Sequence, residues 1–161
     1  MNPPTSGTPP ERGPSGPPEP AAARRARLLA AAEPAELVPV AERLLDGGAL
    51  GTPRVIHPPE VGMVMLQVRE PVAEERFYLG EVLVTHCTVE VAGATGWSMR
   101  GGDDRVAALA AALLDAAASA GLPEAGRVEE VCAAVAARRA AQDAAEWAAL
   151  VPTIVEFEEL L

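Results

Sequence analysis

The stretch Glu75-Arg-Phe-Tyr-Leu-Gly-Glu-Val-Leu-Val-Thr-His-Cys-Thr-Val-Glu-Val91 decides how this chain is organised. It is rich in β-branched and aromatic residues, which fit a pleated, half-buried surface. Phe77 and Tyr78, two of the five aromatic residues in the chain, sit side by side at its start. Gly80 follows, and a glycine inside a strand pattern marks a bulge or break. The run is therefore a long strand, Phe77 to Val91, with an irregular entry. Ala92 to Gly96 is a hairpin connection, and Trp97 to Arg100 returns as a further strand. On the N-terminal side, Met63 to Arg69 reads as a strand, and Glu70 to Arg76 turns the chain between the two. Arg54 to Glu60, with Pro58 and Pro59, reads as a loop. The product is a three-stranded antiparallel meander.

Helical patterns flank it. One helix begins near Ala21, and a second covers PAELVPVAERLLD from Pro34, where proline suits a first helical position and Gly47-Gly48 supplies the stop. After the sheet, Asp103 or Asp104 caps a helix from about Arg105 to Ala120. Its apolar stripe is Val106, Leu109, Leu113 and Ala117. A last long helix runs from about Gly126 to Leu150. Its stripe, Val128, Val131, Cys132 and Val135, turns polar at Arg139 and Gln142, the pattern of a face shared with another chain. The fold class is α+β, one domain over residues 21–161. Residues 1–20, holding eight of the 16 prolines, read as a disordered tail.

Composition excludes several functions. The net charge is −10, which opposes nucleic-acid binding through phosphate neutralisation. No run of about 18 apolar residues is present to span a membrane. Cys87 and Cys132 lie far apart without ligand or redox spacing, which fits a reduced, cytoplasmic setting. Adjacent His86 and Cys87 point to opposite faces of a strand, so they form neither a catalytic pair nor one metal site. His57, His86, Cys87 and Cys132 lack the spacing of a zinc site. All 13 basic residues are arginine, so the lysine of a GxxxxGK[ST] phosphate loop is absent. The Arg100-Gly101-Gly102 turn makes Arg100 a candidate anion contact, and a tight turn is the plainer reading. Asp115 reads as a polar face or a salt bridge to a partner. Trp97 and Trp147 read as packing or interface residues. No catalytic constellation emerges, which favours a binding or assembly subunit.

The ordered set RFYLGEVLVTHCTVEVAGATGWSMRGGDD, followed by an alanine-rich helix with LLDAA, resembles the PhnG subunit of the carbon–phosphorus lyase system. The matching positions are Phe77, Tyr78, Leu79, Gly80 and Glu81, then Thr85, then Gly93 and Gly96, then Gly102 and Asp104, and Asp115 with Ala116. PAEL at Pro34, GMVMLQVR at Gly62 and the ending with Thr153, Val155, Glu156 and Phe157 are also similar. The chain departs from the pattern at His86 and Asp103, where the family carries arginine, and in its last residues, Glu158 to Leu160.

The resemblance implies a subunit of a core complex with PhnI-like, PhnH-like and PhnJ-like chains, with a PhnL-like protein taking part in the reaction. That assembly displaces the adenine of ATP with an alkylphosphonate, giving a ribose 1-alkylphosphonate 5-triphosphate. ATP and phosphonate are its substrates. No cofactor and no metal is expected on this chain alone, nor any catalytic residue. The expected partner interface comprises Phe77, Tyr78, Gly80, Glu81, Val155 and Phe157. The competing reading is an acidic adaptor or regulatory module without an enzymatic role.

Overall fold

A computed structural model describes residues 19–153. Val155, Phe157 and all but the last two residues of the proline-rich tail lie outside the described residues. The element order is α1 (Ala21–Ala31), α2 (Pro34–Asp46), β1 (Arg54–Arg69), β2 (Arg76–Val91), β3 (Ala94–Gly101), α3 (Arg105–Ser119) and α4 (Ala125–Leu150), then a 3₁₀ turn at Val151–Thr153. The sheet has three strands in the order β1-β2-β3, and both pairings are antiparallel. This is the α+β meander with flanking helices that the patterns predict.

Local chemistry sets the boundaries. Pro34 opens α2, and a capping box joins Glu33 and Glu36: the Glu36 side chain accepts the Glu33 N–H at 2.6 Å. Pro39 is accommodated inside α2 without ending it. The two-residue loop between β2 and β3, Ala92-Gly93, has positive φ at both positions, 49° and 80°, the signature of a hairpin turn matched to strand twist. Asp104 caps α3 by accepting the Ala107 N–H at 2.9 Å.

Two expectations are corrected. Arg54 to Glu60 is not a loop, because β1 starts at Arg54. The prolines are tolerated because β1 is an edge strand. Its register against β2 slips between Val55 and His57 and again between His57 and Glu60, which absorbs the residues that cannot donate. The apolar stripe of α3 is also wider than periodicity suggests. Ala107, Ala108, Ala110 to Leu114, Ala116 and Ala117 are all buried, whereas Val106 is exposed. α3 is thus the central helix, packed on β2 and β3 and contacted by α1, α2 and α4.

The alanines of α3 permit a very short helix-to-sheet distance. A Cβ on Gly96 in β3 would lie 2.2 Å from the backbone oxygen of Ala112 and 2.2 Å from the backbone nitrogen of Ala116. Polar ties hold α1 to this layer. The Asp115 carboxylate, on α3, accepts the Arg25 Nε–H at 2.7 Å and the Trp97 backbone N–H at 3.0 Å. Arg138 of α4 donates to Glu36 at 3.0 Å and to the Ala31 carbonyl at 3.1 Å. The core is completed by Leu28, Leu29, Leu37, Val89, Val91, Val128 and Val135. Buried side chains of α4 end at Val135.

Candidate functional site

The buried part of β2 is only half of it. From Val84 to Val91, β2 is flanked by β1 and β3, and Thr85, Cys87, Val89 and Val91 point into the core. β3 ends opposite Val84, so among the described residues the remainder of β2, Arg76 to Leu83, has β1 as its only strand partner, with one backbone bond beyond β3, from the Gly102 N–H to the Leu83 carbonyl at 2.9 Å. Gly62 to Leu83 is therefore a two-stranded ribbon extending from the body. Its far end is a turn in which the Glu70 carboxylate accepts the Val72 and Ala73 N–H groups at 2.8 and 2.5 Å, and the Glu70 N–H donates to the Glu75 carbonyl at 2.9 Å.

The ribbon is apolar and is not covered by any other described element. Met63, Met65, Tyr78 and Leu79 are each 60–65% exposed, and Leu66, Phe77 and Leu83 are each more than 40% exposed. Ten of the fifteen large apolar side chains exposed among the described residues fall between Met63 and Leu83. A two-stranded hairpin is marginal by itself in water. A contiguous exposed apolar patch marks an interaction site.

Gly80 sits where the strand pattern places an irregularity. Leu66 pairs with Gly80 while Gln67 pairs with Tyr78, so Leu79 is an extra residue on β2 and the ribbon bulges there. Among the described residues, nothing lies within 4 Å of a Cβ built on Gly80, so the site above it is open. Glu81 is exposed and pairs with Met65. Phe77, Tyr78, Gly80 and Glu81 thus share one ribbon, and none of them belongs to the core.

Arg100, the candidate anion contact in what reads more plainly as a tight turn, points inward. It is 8% exposed, and its guanidinium donates to the carbonyls of Leu29 at 2.5 Å, Ala30 at 3.1 Å and Ala32 at 2.6 Å. Those carbonyls belong to the end of α1, where no later residue of the helix can satisfy them. Burial holds the Arg100 pKa below its ordinary value, against the opposing pull of the Asp104 and Glu33 carboxylates. Sequence reasoning missed this role, because nothing in the residues around Arg100 points to a helix 70 positions earlier.

The remaining chemical candidates disperse. Cys87 and Cys132 are buried free thiols, and burial raises the pKa of each, which disfavours the nucleophilic thiolate. His86 lies on the sheet face opposite Cys87, with Nε2 4.0 Å from a Glu60 carboxylate oxygen. Asp103 is exposed. Asp115, read as a polar face or a tie to another chain, is a buried internal anchor. Among the described residues, no three His, Cys, Asp or Glu side chains group as metal ligands, and no helix is long and apolar enough to cross a membrane.

Comparison with known proteins agrees with the resemblance carried by these residues. The family model described as phosphonate metabolism protein PhnG matches residues 22–161, and the chain belongs to that family. No curated protein matches the chain.

Proposed function

We propose that this chain is the PhnG-type subunit of a carbon–phosphorus lyase core assembly, docking through its ribbon on a PhnI-like subunit, with PhnH-like and PhnJ-like chains in the same complex. The observation that supports this most is the exposed apolar ribbon, Gly62 to Leu83, in a protein of the phosphonate metabolism family. Free-standing enzymes gather reactive groups in a cleft. Here the candidate reactive groups are dispersed, and the most distinctive surface is one suited to another protein. In this reading the chain works in the cytoplasm and binds no cofactor of its own. ATP and an alkylphosphonate are substrates of the assembly. The chain contributes to the displacement of adenine, with a PhnL-like protein also taking part, and its contribution is to position partner chains.

The purified chain alone is expected to release no adenine from ATP, with or without methylphosphonate. Release is expected once PhnI-like, PhnH-like and PhnL-like proteins are added, and omission of this chain from that mixture abolishes it. Adenine release by the lone chain that survives repurification, or unchanged release without it, overturns the reading.

A further inference from the structure

Residues opposite each other in an antiparallel pair present their side chains on the same face. In the ribbon, Met63 is opposite Leu83 and Met65 is opposite Glu81. Leu83 and Glu81 are in phase with Thr85, Cys87 and Val89, so this face continues the plane that the body buries under α3. The alternate pairs, Val64 with Val82 and Leu66 with Gly80, occupy the opposite face. Both faces are apolar, and both are exposed: Met63, Met65 and Leu83 on one, Val64, Leu66 and Val82 on the other.

An antiparallel ribbon laid on a single surface alternates, with apolar residues toward the partner and polar residues toward water. This ribbon does not alternate, and the run Met63-Val64-Met65-Leu66 is apolar at every position. Accepting the ribbon as the docking element, we propose that it inserts between two apolar walls of a partner subunit, so that both faces are covered at once. Charge selects the occupant. From Glu60 to Leu83 the chain carries five glutamates, Glu60, Glu70, Glu74, Glu75 and Glu81, against Arg69 and Arg76. A second copy of a chain with net charge −10 repels this segment, whereas a different protein with a basic rim around an apolar cleft complements it.

The test places a benzophenone amino acid singly at Met63, Met65, Val64 and Leu66, in cells co-expressing the chain with PhnI-like, PhnH-like and PhnJ-like subunits. Crosslinked products are identified by mass spectrometry. All four positions are expected to link to one and the same partner chain. Met63→Asp and Val64→Asp, one on each face, are each expected to reduce the co-purified partner roughly tenfold or more with an unchanged melting temperature. Links from only one face overturn the two-walled cleft, as do links to a second copy, links within the chain, or the absence of links. Two-sided links to a chain outside the phosphonate subunits keep the cleft and overturn the functional reading above. One-sided links to a PhnI-like chain do the reverse.

Discussion

Gly96→Ala is expected to destabilise the protein by about 3 kcal/mol or more, the upper range for an overpacked interior position. That corresponds to a fall in melting temperature of roughly 10 °C for a domain of this size. The added methyl carbon would sit 2.2 Å from two backbone atoms of α3 and 2.6 Å from the Ala116 Cα. No rotamer change relieves a clash with backbone, so α3 must move off the sheet. The helix is buried along most of its length, and a shift of α3 disturbs its contacts with α1, α2 and α4 together. Gly126→Ala is the matched control. It makes the same chemical change in α4, at an exposed position where none of the described residues lies within 4 Å, and is expected to be neutral or stabilising by up to about 1 kcal/mol. Thermal melts of the two variants check both. A Gly96→Ala protein that melts with the parent would show that the close approach of β3 to α3 is not a constraint.

Arg100→Met is expected to cost about 3 kcal/mol, measured by urea unfolding. The substitution keeps an apolar stem of similar length and removes the donors that reach Leu29, Ala30 and Ala32. Each buried carbonyl left unpaired costs about 1–3 kcal/mol, and water reaching the end of α1 recovers part of it. The side chain it replaces was itself imperfect, since the Arg100 Nε is buried with no partner among the described residues. Arg100→Lys is expected to fall between the two, because one ammonium cannot imitate a planar fork contacting three carbonyls. If Met and Lys behave like the parent, α1 is not fastened through this contact.

Much of this architecture is legible in the residues. Period-two burial from Thr85 to Val91, the bulge announced by Gly80, the aspartate that caps α3 and the inward Cys87 all follow from local chemistry. What is not legible is tertiary. The prolines at 58 and 59 imply a loop only if β1 is assumed to need every donor, and an edge strand does not. Gly96 is one of several glycines in a turn-rich segment until α3 is packed against it. Asp115 and Arg100 look available for partners or anions, yet their ligands come from α1, far away in sequence. The ribbon is a mixed case. Its strands are evident, and four consecutive apolar residues at Met63 to Leu66 hint at two covered faces. That the body leaves both faces bare emerges only when β3 is seen to stop opposite Val84.

Co-purification of the Phe77→Ala/Tyr78→Ala double variant with a PhnI-like subunit, beside a thermal melt of the free chain, tests the docking role of the ribbon most directly. Both side chains are exposed, so the melt is expected to match the parent within the roughly 0.5 kcal/mol usual for surface changes. Truncating aromatic anchors at an interface typically costs about 2 kcal/mol or more, a loss of roughly thirtyfold in affinity. An intact fold with the partner largely lost is the expected result. A variant with an unchanged melt that retains the partner in full would contradict it.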